Sequence, residues 1–304
     1  MAMPDFLIIG KAKCGTTALY HALQQHPQIY MSPVKEPGFF TFEGQRPNFN
    51  GPNDDNFNRG FITHLSDYHR LFDGITDQKA SGEASTIYLS WYQIEKTVAN
   101  IRRYIPQARL IAILRHPAEQ AYSIFNYRRQ LGREPLSDFA QALAAETSPS
   151  RADWSPGCRY RQSGFYYQQL KHYYEQFPRQ NIRVYLYEDW NRQPDLILQD
   201  IFSFLQVGAP PQPIRIERRN VTALPRSRAL QTLLIRPAFF KTILKPFLPK
   251  TLRGKIKDTA QRLNSFRPTA LDVEIRAQLV EVYRQDILQL QELIGRDLTH
   301  WLEG

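Results

Sequence analysis

Three short stretches hold the residues suited to a small, highly charged molecule. The first is Gly10-Lys11-Ala12-Lys13-Cys14-Gly15-Thr16-Thr17, which follows apolar Phe6-Leu7-Ile8-Ile9 and precedes a helix-like run from Ala18 to Gln25. A strand, a glycine-bounded loop and a helix start, in that order, turn backbone N–H groups outward at the positive end of a helix dipole, an arrangement that suits a phosphate. The second is Leu114-Arg115-His116-Pro117, continuing to Ser123. Pro117 is suited to the first position of a helix, which puts Ser123 about a turn and a half inside it. A guanidinium fork and a hydroxyl at that separation can hold one phosphate between them. The third is Lys35-Glu36-Pro37-Gly38-Phe39-Phe40, whose neighbouring lysine and carboxylate read by themselves as an ion pair.

The first loop has the glycine spacing of a Walker A motif, with Gly10, Gly15 and a final Thr17, but Thr16 occupies the lysine position and Lys13 stands before the second glycine. A nucleotide kinase or NTPase needs that lysine on the β- and γ-phosphates and commonly an Asp for Mg²⁺. The displaced lysine reaches a different oxygen. A P-loop kinase or NTPase is therefore the alternative reading, together with a nucleotide-regulated module that binds polyanions without catalysis.

These stretches need a scaffold that brings them to one place. Apolar runs predict strands at Phe6–Ile9, Gln28–Met31, Leu110–Leu114 and Ile182–Tyr187, and the interior of Arg109–Arg115 is continuously apolar, as in a strand buried on both faces. Helical periodicity lies between them at Thr17–Gln25, Ile94–Tyr104, Ala118–Leu131, Gly164–Phe177, Leu196–Leu205 and Leu271–Ile294. Alternation of this kind predicts an α/β fold: a P-loop-like parallel β-sheet flanked by helices on both faces. Ligands of such sheets gather at the carboxyl ends of the strands, where the loop after the first strand and Arg115 both belong. Gly44 to Arg59, rich in Asn, Asp, Gly and Pro, reads as an exposed loop, as does Glu146 to Gly157. No stretch reads as a linker, so residues 1–304 are expected to form a single domain, closed by a long amphipathic helix within 270–302 that ends near Gly295.

Of 304 residues, 42% are hydrophobic, which supports an ordinary globular core. Two cysteines, Cys14 and Cys158, provide neither a disulfide framework nor zinc-ligand spacing; no metal is expected, and a reducing, cytoplasmic setting is. No apolar run approaches the length of a membrane span. The net charge of +10 is concentrated: residues 226–267 carry eleven Lys and Arg against the single acid Asp258, interleaved with Phe239, Phe240, Ile243, Leu244 and Phe247. A basic amphipathic segment of this kind serves as a lid over an anionic cofactor, as an acceptor-side wall or as a peripheral membrane contact. No nucleic-acid recognition motif accompanies it, so nucleic acid is not an expected partner.

The ordered motifs resemble those of sulfotransferases that use 3′-phosphoadenosine 5′-phosphosulfate (PAPS), in the bacterial and heparan-sulfate-type branch. Lys13-Cys14-Gly15-Thr16 is similar to that family's 5′-phosphosulfate loop, with Cys14 at a position usually held by Ser or Gly, and Arg115 with Ser123 is similar to its 3′-phosphate motif, in which Gln120 stands where Arg is common. Glu36-Pro37-Gly38-Phe39-Phe40 resembles its Glu-x-x-Phe-Phe element, Glu83-Ala84-Ser85-Thr86-Ile87-Tyr88 its Glu-Lys-Thr-Pro-x-Tyr segment without the Lys and Pro, Gly164 to Leu170 its Gly-x-Tyr-x-x-Gln-Leu helix, and Asn220 to Arg228 its late loop. The resemblance spans roughly residues 5 to 230. It implies transfer of a sulfuryl group from PAPS to a hydroxyl or amine of a sugar, lipid or small metabolite, leaving 3′-phosphoadenosine 5′-phosphate (PAP). It implies Lys13, Cys14, Gly15, Thr16, Thr17 and Ala18 at the 5′-phosphate, Arg115 and Ser123 at the 3′-phosphate, and Tyr166 and Arg226 as further cofactor contacts. It implies Glu36 as the base and Lys13 as the charge on the leaving oxygen, with Glu83, Ser85 and Phe40 lining the acceptor cleft. The acceptor is a small molecule or carbohydrate that the basic segment would suit if anionic.

Overall fold

A computed structural model describes residues 2–216, 224–225, 265–266 and 268–303. Five parallel strands form one sheet: β1 (Phe6–Gly10), β2 (Ile29–Met31), β3 (Ala80–Ala84), β4 (Arg109–Leu114) and β5 (Ile182–Leu186), in the order β2-β3-β1-β4-β5. Helix α1 (Thr16–Leu23) follows β1, and α2 (Phe39–Phe42), α3 (Asp55–Asn58) and α4 (Leu65–Arg70) lie between β2 and β3. Helix α5 (Ile94–Tyr104) precedes β4, while α6 (Pro117–Gln130), α7 (Phe139–Ala145), α8 (Tyr160–Ser163) and α9 (Tyr166–Gln176) join β4 to β5. Helices α10 (Tyr187–Arg192), α11 (Pro194–Phe204) and α12 (Val273–Ile294) complete the described set.

The two-residue alternation of β1 divides the core. Leu7 and Ile9 pack with Leu110, Ala112 and Leu114 beneath α5, α6, α9 and α12, whereas Phe6 and Ile8 pack with Ile111 and Ile113 against α1, α10 and α11. Each fully buried aliphatic or aromatic side chain contributes about 1.5–3 kcal/mol, so this central strand anchors both layers. Strand β3 is the one the apolar pattern does not reveal. Its sequence, Ala-Ser-Gly-Glu-Ala, is small because Phe6 lies against it: a Cβ on Gly82 would stand 2.4 Å from the Phe6 ring.

The connection leaving β1 runs toward β2 and the one leaving β4 runs toward β5, so their carboxyl ends border a crevice where the chain changes direction. Lys11 N–H donates to the Ile113 carbonyl at 2.8 Å, fastening the loop after β1 to β4 beside that crevice. The last helix is shorter than the span 270–302. Asp272 caps it by accepting from the amides of Glu274 and Ile275, and Gly295, at φ 64°, ends it. Leu298 and Trp301 then turn back into the core. Most of the basic segment 226–267, including Arg226, lies outside the described residues. Two short strands, β6 (Leu224–Pro225) just before the segment and β7 (Ser265–Phe266) within its last residues, pair antiparallel. No helix among the described residues is long and apolar enough to cross a membrane.

Candidate active site

A cleft of about 1240 Å³ opens at the crevice, lined on one side by Lys11, Ala12, Lys13, Gly15, Thr16, Thr17 and Ala18, and on the other by Arg115 and Ser123. Gly15 turns the loop into α1 at φ 91°, a conformation natural to glycine, and a Cβ there would press on Trp190 at 3.1 Å and Tyr187 at 3.3 Å. No side chain caps α1 and no acid occupies its first turn, so its positive end faces the cleft uncompensated. Lys13 is also left-handed, at φ 65°. Its Nζ stands over the Tyr127 ring, 4.7 Å from the centroid, and burial followed by the Arg115 charge depresses its pKa to about 8. Cys14, expected at the 5′-phosphate, does not line the cleft: its side chain is fully buried in the core on the α1 side of the sheet, where the thiol donates to the Ala12 carbonyl at 3.6 Å.

Across the cleft, Arg115 is half-buried. Its Nη2 donates to Glu119 Oε2 at 3.2 Å, and its guanidinium lies 5.3 Å from the centroid of the Tyr187 ring. Glu119 and Ser123 are four residues apart and share one face of α6. The Arg115 backbone is fixed from behind, where Tyr166 donates its hydroxyl to the Arg115 carbonyl at 2.9 Å. Tyr166 itself is 1% exposed and does not line the cleft, which corrects the expectation of a cofactor contact: the ring is packed core that holds Arg115 in place. Gln120 points to the first loop, donating to the Ala12 carbonyl at 3.1 Å.

Glu36 enters the same cleft at φ 63°, so both expected catalytic residues adopt left-handed backbone that side chains rarely favour. Its Oε1 accepts from Lys35 Nζ at 2.5 Å, and its Oε2 accepts from the Thr86 amide at 2.6 Å and the Thr86 hydroxyl at 3.0 Å. A carboxylate has about four acceptor positions, so three donors fix the group and leave one for an incoming proton.

The residues expected to line the acceptor side lie behind it instead. Glu83, Ser85 and Phe40 are each 0% exposed and none borders the cleft. Glu83 accepts from the hydroxyls of Tyr88 at 2.6 Å, Ser85 at 2.9 Å and Tyr68 at 3.2 Å, and burial raises its pKa to about 7. Ser85 Oγ also accepts from the Gly38 amide at 3.0 Å, so this buried network supports the turn that carries Glu36. Phe40 packs on Tyr68 and Tyr88. The cleft wall beside Glu36 comes instead from Phe57, Phe61, Ile87 and Trp91.

Lys11, to which the sequence pattern assigns no role, is the other unforeseen group. It is 3% exposed, donates to the Leu89 carbonyl at 2.6 Å and to Gln169 Oε1 at 2.5 Å, and lies 5.7 Å from the centroid of the Tyr166 ring. Burial depresses its pKa to about 7. The signal for it was a lysine directly after a buried strand, where a charge is costly unless it serves the loop.

A family model described as Sulfotransferase domain matches residues 3–224. The chain belongs to the sulfotransferase family. A solved sulfotransferase from Alicyclobacillus acidocaldarius superposes with a TM-score of 0.75 at 30% identity, covering 100% of both chains. Among curated relatives, the human bifunctional heparan sulfate N-deacetylase/N-sulfotransferase 2 is 25% identical over 99% of this chain and 31% of its own length. Human carbohydrate sulfotransferase 15 is 25% identical over 68% of this chain and 44% of its own. The chain thus spans about a third of the length of the first of these relatives and less than half of the second. Within this sulfotransferase, the matched region includes the first loop, the Glu36 turn, Arg115 and Ser123.

Proposed function

We propose that this chain is one sulfotransferase domain that transfers the sulfuryl group of PAPS to a hydroxyl or amine of an acceptor by in-line displacement. One observation carries the reading: a single cleft has the capless start of α1 and Lys13 on one side, Arg115 and Ser123 on the other, and the Glu36 carboxylate between aromatic walls. The cradle fits such a nucleotide. The loop amides and the Thr16 and Thr17 hydroxyls suit the 5′-phosphate, and the Arg115 fork with Ser123 suits the 3′-phosphate that separates PAPS from ATP. When bound, PAPS supplies the activated sulfuryl group.

The chain's own groups do the rest. Glu36 accepts the proton from the acceptor O–H or N–H as that atom bonds to sulfur. Lys13 meets the electron pair that passes to the 5′-phosphate oxygen when the S–O bond breaks. Lys35 and Thr86 hold the base in place, so positioning supplies much of the rate. The names of the curated relatives, a heparan sulfate N-sulfotransferase and a carbohydrate sulfotransferase, favour a sugar acceptor. Two buried free cysteines suit a reducing, cytoplasmic setting. Calorimetric titration with PAP, with ADP and with ATP plus magnesium tests the reading, followed by an acceptor screen with labelled PAPS. PAP should bind more tightly than either of the others; a protein that takes ATP with magnesium and ignores PAP would be a kinase or NTPase after all.

A further inference from the structure

The wall of the cleft beside the base carries more positive charge than the transfer chemistry uses. The end of the segment 44–59, expected to be an exposed loop, folds back with the residues just after it as a ring-lined partition. Phe57 packs on Phe61 with centroids 4.9 Å apart, Phe61 on Phe42 at 4.4 Å, and the Ile62 amide donates to the Pro37 carbonyl at 2.8 Å, one residue from Glu36. A Cβ on Gly38, at φ 61°, would run into the Phe61 ring at 2.3 Å. Phe57 and Phe61 therefore belong to the side of the cleft that holds Glu36.

Two guanidinium groups join this partition, both lining the cleft. Arg133 stands over Phe57, 5.5 Å from the ring centroid, and its guanidinium has no hydrogen-bond or ion-pair partner among the described residues. Arg128, 4% exposed, donates from Nη1 to Ser155 Oγ at 2.9 Å and from Nη2 to the Arg133 carbonyl at 3.2 Å, while its Nε is buried without a partner. The nearby acid is Asp54, and it is already engaged: its two oxygens accept from the Ser155 hydroxyl at 2.7 Å and the Ser155 amide at 2.8 Å. Burial and then the Arg128 charge work against the charged form of Arg133, and the Asp54 charge offsets them only in part. A half-desolvated, unpaired guanidinium held against a like charge is costly, and an anion in the cleft would offset that cost.

We infer that Arg133, backed by Arg128 and seated on Phe57, is an acceptor subsite that recognises a carboxylate on a ring-bearing acceptor. The inference rests on the sulfotransferase reading and adds an acceptor feature to it. A guanidinium fork matches a carboxylate through two parallel N–H donors, and the flanking Phe57, Phe61 and Trp91 offer ring faces to the body of the acceptor. Neutral and carboxylated versions of one acceptor should then differ in affinity by the strength of a charge-assisted pair.

The test titrates 4-nitrophenyl β-glucuronide and 4-nitrophenyl β-glucoside into the PAP-saturated wild-type protein, and into the Arg133→Gln and Arg133→Lys variants. The glucuronide should bind the wild type about ten- to hundredfold more tightly than the glucoside. Arg133→Gln should erase that ratio without changing glucoside or PAP affinity, and Arg133→Lys should restore part of it. Equal affinities in the wild type, no glucuronide binding at all, or equal loss of both glycosides in Arg133→Gln would overturn the subsite. PAP binding is read separately in the first titration, so a failed nucleotide assignment is told apart from a failed subsite.

Discussion

Thr86 holds one oxygen of Glu36 twice, through its amide at 2.6 Å and its hydroxyl at 3.0 Å. The grip joins the turn that carries Glu36 to the second residue beyond β3, and it aims a carboxylate whose backbone is left-handed. The hydroxyl can be removed while the amide stays, so the placement of Glu36 can be tested apart from its chemistry.

Glu36→Gln should lower turnover by about 10²–10⁴-fold while PAP affinity stays within twofold, because a neutral amide keeps the shape but cannot take the acceptor proton. Thr86→Val removes the hydroxyl and keeps the amide, so kcat should fall by only about tenfold, the scale of one hydrogen bond. Single-turnover rates with labelled PAPS, read beside PAP calorimetry, check both. Near-wild-type turnover of Glu36→Gln would remove Glu36 from the reaction.

Arg115→Ala should weaken PAP by about ten- to hundredfold, matching the loss of a charge-assisted pair, and Ser123→Ala by less. Neither should change affinity for adenosine 5′-phosphosulfate, which lacks the 3′-phosphate. Parallel titration of the two nucleotides decides it: a variant that loses both equally has lost the fold of the cleft, not the 3′-phosphate contact.

The cleft-lining residues proposed to hold the nucleotide were legible because local geometry brings them to one place. A glycine turn before a helix and a strand-ending Arg followed by Pro117 each carry their meaning within ten residues. Strands β1 and β4 were legible from unbroken apolar runs, and β5 from an apolar run interrupted by Arg183. Strand β3 was not, because its side chains are small to admit the Phe6 ring and its one large member, Glu83, is a buried carboxyl satisfied by the hydroxyls of Ser85, Tyr88 and Tyr68. The expectation that Glu83, Ser85 and Phe40 line the acceptor cleft failed for the same reason: their burial is created by Tyr68 and Tyr88 closing over them. Phe57 lay hidden in a segment whose Asn, Asp, Gly and Pro content speaks for a loop, and its contact with Phe61 forms only on folding back.

Lys11 predicts a pH dependence of nucleotide binding. Burial depresses its pKa to about 7 and that of Lys13 to about 8, and an anion placed in the same cleft favours the charged form of both. Below pH 7 both lysines are already protonated and binding takes up no proton from them. Above 7 the free protein loses first the Lys11 proton and then the Lys13 proton, so PAP affinity should fall as pH rises, more steeply past 8. Lys11→Met should flatten the part of the curve between pH 7 and 8 and leave the later fall. Calorimetry in two buffers of different ionisation enthalpy measures the protons taken up; an uptake of zero at pH 8 would refute the coupling.

Glu83 predicts a pH dependence of stability with a defined sign. Its carboxyl titrates near 7 in the folded chain against an ordinary value of 4.5, because burial penalises the charged form. The folded state therefore holds a proton that the unfolded chain has released, and the stability gained from it is complete below about pH 4.5 and is lost as pH rises to about 7. Glu83→Gln keeps a neutral group of the same shape. Its carbonyl oxygen can accept from Tyr68 and Tyr88, and its amide can donate to Ser85 Oγ, which has a lone pair besides the one facing Gly38. Other titrating groups are common to both proteins and cancel in the difference. The melting temperature of Glu83→Gln relative to the wild type should thus rise between pH 5 and pH 8, and a difference that stays flat across that interval would mean that Glu83 is not buried as a neutral acid.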